Sequence, residues 1–183
     1  DLLCIPKLIA SSSSAEDNLS PNAIRYQGAI TLNNNTIIKS RSFDANKAEW
    51  SALTEGNFIV GTPASNANLV ISEFNYHPLD PSTTEEMNAS ESDTDFEYIE
   101  ITNIGKTEIN LVGIQFDQGI DFKFTINTKI NSLAAGEQIL IVKNISAMKS
   151  RYGNEISNFI AGEFGATTKL SNDGESLTLI AAD

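Results

Sequence analysis

Very few side chains in this chain could do chemistry. His77 is the only histidine and Cys4 the only cysteine among 183 residues. A Ser-His-Asp relay would have to be built on His77. That residue directly precedes Pro78 at the end of an apolar phrase, and it reads more simply as a turn residue or a packed imidazole. Cys4 has no visible activating neighbour, and a zinc centre needs Cys and His ligands that the chain does not possess. Neither Gly-x-x-x-x-Gly-Lys nor Gly-x-Gly-x-x-Gly occurs, so the common phosphate cradles are missing.

Carboxylates are the richer inventory. Glu73, Glu97 and Glu100 lie in strand-like phrases. Residues 80–95 carry Asp80, Glu85, Glu86, Glu91, Asp93 and Asp95 with no basic residue among them. A glycosidase would need two carboxylates held across a sugar cleft, and a small β-domain with an acidic loop gives no sign of one. A hard cation fits better, since Ca²⁺ takes six to eight oxygens and accepts loop geometry. The candidate ligands are Glu73, Asp93, Asp95, Glu97 and Glu100, although no Asp-x-Asp-x-Asp-Gly ladder is present. A solvated, mobile acidic loop is the simpler expectation, and Ca²⁺ is the only cofactor candidate. Phe43 and Trp50 could stack on a sugar, but a lone Trp in a strand phrase is more often core.

The elements that must position these groups are short strands. Thr36–Phe43 alternates apolar with polar, and 55–60 reads as a second strand. Residues 61–68 are small and polar with a Pro, the texture of a linker. Strands are then expected over Leu69–Tyr76, Phe96–Thr102, Ile109–Phe116, Phe122–Ile126, Gln138–Val142 and Ser176–Ile180, at the spacing of a sandwich. The expected core is Ile71, Ile99, Ile101, Leu111, Ile114, Leu140, Val142, Leu170, Leu177 and Leu179. One helix is expected, Ser146–Tyr152, capped by Ser146 and ended by Gly153. Residues 1–22, with a Ser11–Ser14 run, read as a flexible lead-in.

Several phrases agree on a family. Leu69-Val-Ile-Ser-Glu73, Glu97-Tyr-Ile-Glu-Ile-Thr-Asn103, Leu111-Val-Gly113, Leu133-Ala-Ala-Gly136 with Glu137–Val142, and Leu170–Leu179 resemble, in this order, a bacterial lamin-tail domain. The resemblance implies an all-β fold, an immunoglobulin-like β-sandwich, over residues 69–183. It also implies one more strand after Leu177–Ile180, so that strand is expected to keep an open edge able to support self-association. In front, Ser20–Gly28, Ala29–Leu32, Ile38–Ser42 and Trp50-Ser51 resemble the later part of an Ig-like module found at the C-terminus of chitobiases and hexosaminidases. Residues 23–60 are therefore expected to be a partial Ig-like β module.

Charge narrows the partners. The formal charge is −12. Residues 1–66 hold five Lys/Arg against six Asp/Glu, and residues 67–183 hold seven against eighteen, a net of −11. Such a field repels nucleic-acid phosphates and anionic lipid, so neither nucleic-acid binding nor membrane insertion is expected. No apolar run approaches the roughly 20 residues of a spanning helix. The resemblance implies a non-catalytic binding or spacer module of a larger secreted or cell-surface bacterial protein, or one in the periplasm. Its partner would be a protein or a glycan. The alternative is a carbohydrate- or Ca²⁺-dependent accessory domain of an extracellular hydrolase.

Overall fold

The computed structural model describes residues 7–8, 23–90 and 92–181. Cys4, the serine run and most of the expected lead-in lie outside the described residues. The chain divides into two compact units, Asp1–Val60 and Gly61–Asp183.

The first unit is built on β1 (Lys7–Leu8), β2 (Thr36–Ser40), β3 (Phe43–Asp44), β4 (Glu49–Trp50) and β5 (Thr54–Phe58). β2 is central and antiparallel to both neighbours, with Leu8 opposite Ile38 and Ile38 opposite Gly56. The lead-in thus contributes a strand at Lys7–Leu8. The strand expected over Thr36–Phe43 breaks after Ser40, because Ser42 and Ser51 bond each other instead: the Ser51 amide donates to Ser42 O (2.8 Å) and the Ser42 amide to Ser51 Oγ (2.9 Å). A separate hairpin follows, β3 with β4, which pairs Phe43 with Trp50.

The second unit comprises β6 (Thr62–Pro63), β7 (Leu69–Asn75), α1 (Thr84–Ala89), β8 (Tyr98–Asn103), β9 (Ile109–Asn110), β10 (Gln115–Gln118), β11 (Ser132–Leu133), β12 (Gln138–Val142), α2 (Ile145–Tyr152), β13 (Ile160–Glu163) and β14 (Thr178–Ile180). Four strands form one sheet in the order β13-β12-β8-β7. Only the β12–β13 pair in it is parallel, and a parallel pair needs a crossover. α2 and the 3₁₀ turn Asn154–Asn158 supply it. The opposing layer is made of shorter pieces, β11-β9-β6 and β10-β14.

β8 shows why the sheet forms. Its residues alternate strictly between half-buried and buried, as a two-residue period requires. Ile99 and Ile101 join Ile139, Ile141, Leu111, Phe116, Phe124 and Leu133 in the core between the layers. β12 is buried on both faces. Its Ile139 and Ile141 face that core, whereas Val142 packs with Met148 and Ile160 beneath α2, and Leu140 packs against them. The expected core residues Leu140 and Val142 therefore belong to the helix-covered side. A strand buried on both faces has no alternation from which to read the difference.

Three more expectations are corrected. Residues 61–68 are no free linker: β6 pairs in parallel with β9, and Ala64 is buried in the core. Phe122–Ile126 is not a strand; only a bridge from Lys123 to Gln115 forms, while Phe124 still fills the core. The expected Ile109–Phe116 strand is cut by a turn at Gly113 (φ 94°) into β9 and β10. Just beyond β10, Gly119 (φ 95°) lets the chain pass Leu177 so closely that a Cβ would lie 2.2 Å from its Cδ2. That contact fixes the approach to β14.

Candidate functional site

The described residues of the acidic segment 80–95, expected to be a mobile loop, are held by a helix cap and by an arginine from α2. Thr83 caps α1 in a reciprocal box: Thr83 Oγ1 accepts from the Glu86 amide (3.1 Å) and Glu86 Oε2 from the Thr83 amide (3.1 Å). This is the Thr-x-x-Glu arrangement that satisfies two helix-end amides at once. Glu86 Oε2 also accepts from the Ser82 amide at 2.7 Å. The counter-charge that the segment lacks comes from α2. Arg151 Nε donates to Glu86 Oε1 at 2.6 Å, its Nη2 to Leu79 O (2.9 Å) and Asp80 O (3.3 Å), and its guanidinium lies 3.6 Å over the ring of buried Phe96. Arg151, with the Ser82 amide behind it, holds the Glu86 carboxyl down from 4.5 to about 2. Beside this pair lies a cleft of about 410 Å³ whose lining includes Asn75, His77, Asp80, Glu86, Arg151 and Tyr152. His77 sits at the exposed bend after β7.

The five candidate cation ligands end up in three places. Glu73 and Glu100 are cross-strand neighbours on β7 and β8, on the side of the sheet away from the main core. Glu100 Oε1 accepts from Ser72 Oγ (2.7 Å) and Gln138 Nε2 (3.0 Å). The Tyr98 hydroxyl donates to Glu73 Oε1; burial, then that carboxylate, raises the Tyr98 pKa. Asp93 and Asp95 lie in the 3₁₀ turn Asp93–Phe96. Asp93 Oδ1 accepts from the Thr94 amide (2.8 Å), and Asp95 Oδ2 from Ser90 Oγ (2.6 Å) and Asn144 Nδ2 (3.4 Å).

Glu97 is only 1% exposed. Its Oε2 accepts from the Leu170 amide at 2.8 Å, while its Oε1 is buried without a hydrogen-bond partner. Burial raises its pKa, against the Leu170 amide and the charges of Lys143 and Lys169. Among the described residues no three His, Cys, Asp or Glu side chains gather as a metal site would require.

A second surface feature runs between the layers. Leu69 and Ile71 of β7 and Ile114, Leu179 and Ile180 across from them line a groove of about 580 Å³. Among the described residues β14 pairs only with β10, and β7 only with β8. In the first unit, Phe43 and Trp50 touch at 4.8 Å between ring centroids, and Arg41 lies 4.6 Å over Trp50. The indole is half-buried.

Sequence reading passed over Arg151, Lys143 and Asn103. Arg151 became legible only with α1, which the Thr83-x-x-Glu86 box signals. Lys143 Nζ ties the Gly165, Ala166 and Thr168 carbonyls together. Asn103, fully buried, donates from Nδ2 to Thr107, Leu133 and Ala134 carbonyls. Apart from Thr107, those partners are distant in sequence, and no local pattern announces them.

Two layers of short strands, with mixed pairing around one apolar core, define an immunoglobulin-like β-sandwich. Residues 62–182 match the family profile of the Lamin Tail Domain, and the chain belongs to that family. Among solved structures it is similar to a DUF4876 family protein from Bacteroides thetaiotaomicron VPI-5482, at 15% identity and a TM-score of 0.32, over 78% of this chain and 45% of that one. The chain thus spans less than half of that structure's length. A search of curated proteins finds no match.

Proposed function

We propose that the chain is a non-catalytic binding or spacer module of a larger exported or cell-surface protein. One observation carries this reading: the carboxylates that the sequence offers for chemistry are engaged in hydrogen bonds within the fold. Glu86 is bonded to Arg151 and to the cap of α1, Glu97 to the Leu170 amide, Asp95 to Ser90, and Glu100 to Ser72 and Gln138. A catalytic acid–base pair needs two such groups facing a reacting bond. Membership of the lamin tail family supports a module that serves a larger protein, with a protein or glycan as its ligand. The net charge of −11 over residues 67–183 argues against a nucleic-acid or anionic-membrane partner. We read residues 23–60 as a partial module similar to the C-terminal Ig-like domain of chitobiases. An extracellular or cell-surface setting, or a periplasmic one, fits both resemblances.

A carbohydrate- or Ca²⁺-dependent accessory domain is the second reading, favoured by the cleft in which Asn75, His77, Asp80, Glu86, Arg151 and Tyr152 join Pro78 and Leu79. The separating experiment is a glycan array and a peptide array probed with the whole chain, with and without EDTA. The spacer and protein-binding reading expects no glycan signal and no effect of EDTA. EDTA-sensitive glycan binding abolished by Tyr152→Ala would replace it with the second reading.

A further inference from the structure

The 410 Å³ cleft where β7 ends against α2 gathers polar side chains that the fold leaves unused. Asn75, His77, Asp80 and Tyr152 all line it, and their side chains make no hydrogen bond or ion pair among the described residues. Glu86 and Arg151 line it too, but they bond each other, and Arg151 also holds the Leu79 and Asp80 carbonyls. Asp80 is therefore a lining carboxylate without a counter-charge. Leu79, 83% exposed, and Tyr152, 50% exposed, add apolar surface to the same cleft that water now covers. Asn75 is the cross-strand partner of Tyr98, whose hydroxyl donates to Glu73 Oε1. A second carboxylate thus stands on the same face, at the neighbouring outward pair of β7 and β8.

Charge selects the occupant. The sequence has no Lys or Arg between Lys47 and Lys106, and the one such residue in the cleft, Arg151, is already paired. An anion would meet Asp80 and a domain whose net charge over residues 67–183 is −11, and that field draws in cations. A guanidinium answers each open group at once. Its fork matches the Asp80 carboxylate, a further N–H reaches the Asn75 amide oxygen, its flat face stacks on Tyr152, and its methylene stem covers Leu79. The molecule uses the same chemistry beside the cleft, where Arg151 bonds Glu86 and two carbonyls and lies 3.6 Å over the Phe96 ring.

We propose that this cleft is the docking pocket for an arginine side chain of a partner protein, with Asp80 as its carboxylate, Tyr152 as its stacking face and Asn75 as a further acceptor. A buried arginine seated on an aromatic ring is a common anchor of protein interfaces. This rests on the reading of the chain as a binding module and names the chemistry of its protein partner.

The test uses the whole chain and short Gly-Ser peptides that differ at one central position, which is Arg, Lys or the neutral Gln. Binding is followed residue by residue through NMR shifts. The expected result is saturable shifts gathered at Asn75–Asp80 and Tyr152 with the Arg peptide, weaker binding of the Lys peptide and none of the Gln peptide. Added salt should weaken the binding. Asp80→Asn keeps the backbone carbonyl that Arg151 holds, so it should melt with the parent and yet bind the Arg peptide roughly threefold more weakly or worse. Tyr152→Ala should weaken binding as well. Asp117→Asn removes the same charge from an exposed position on β10 and should leave binding unchanged. Three results overturn the proposal: equal binding of the Arg and Gln peptides, a loss on Asp117→Asn as large as on Asp80→Asn, which makes the attraction a diffuse field, or cleft shifts produced by a glycan and not by the Arg peptide. If the Arg peptide leaves the cleft unmoved while the peptide array finds a ligand bound elsewhere, the arginine pocket falls and the binding-module reading stands.

Discussion

Ile99 and Phe74 face the same way from adjacent strands, and their surroundings differ completely. Around Ile99 the sandwich is closed. Phe124, Leu133, Ile139 and Ile141 complete a core between two layers, and α2 with Met148 seals the far side of the same sheet. Around Phe74 the opposing layer has run out, and the ring is half in water. The difference comes from strand supply, since both residues are apolar and in register. Strands of four to seven residues on one side are opposed by two- to four-residue pieces on the other. One half of the domain is thus a finished core, and the other is an apolar wall that the opposing layer, among the described residues, covers only in part.

The largest expected effect lies at the closed end. Ile101→Ala removes a fully buried side chain and should cost about 2–5 kcal/mol in urea unfolding. A cost near zero would break the comparison at its firm side. Phe74→Ala is the matched experiment at the open end. With about half its surface already in water it should cost ~1 kcal/mol or less, and a cost equal to that of Ile101→Ala would mean that the open end is also closed in solution.

The two buried carboxylates sharpen the contrast by titrating in opposite senses. Glu86 is depressed to about 2 by Arg151. The folded state therefore binds fewer protons here than the unfolded state, and stability is lost as pH falls from about 4.5 towards 2. Glu86→Gln should melt below the parent at pH 6, with the gap closing over that acid range. Glu97 is shifted upward by burial, so the folded state binds more protons, and its carboxyl disfavours folding as pH rises through and above the ordinary carboxylate range. Glu97→Gln keeps an oxygen for the Leu170 amide. It should remove that decline and leave the melting temperature at pH 8 equal to or above the parent's. A Glu97→Gln protein that melts well below the parent at every pH would show a favourable ionised role for Glu97.

The sequence revealed the sheet that alternates and hid what depends on distant partners. β8 and the span of β12 were legible because strand-forming residues gather there between turn signals. The division of β12 between two cores was not, because a strand buried on both faces carries no period. The acidic stretch 80–95 looked unstructured on charge alone. Its capping box lay in the sequence at Thr83 and Glu86, but its neutralising Arg151 stands 65 residues away. Of the proposed cation ligands, only Glu73 and Glu100 were brought side by side, by strand register. The groove could not be read in advance, because it is a property of which strands lie opposite one another.

The central claim is that, among the described residues, the sandwich is closed over β8 and β12 and open along β7 and β14. Native-state amide hydrogen exchange, read residue by residue on the free protein, tests it most directly. Amides of Ile99, Ile101 and Ile141 should exchange only through global unfolding, while the Thr178–Ala181 segment exchanges orders of magnitude faster through local opening. Equal, global protection of β8 and β14 at low protein concentration would contradict it.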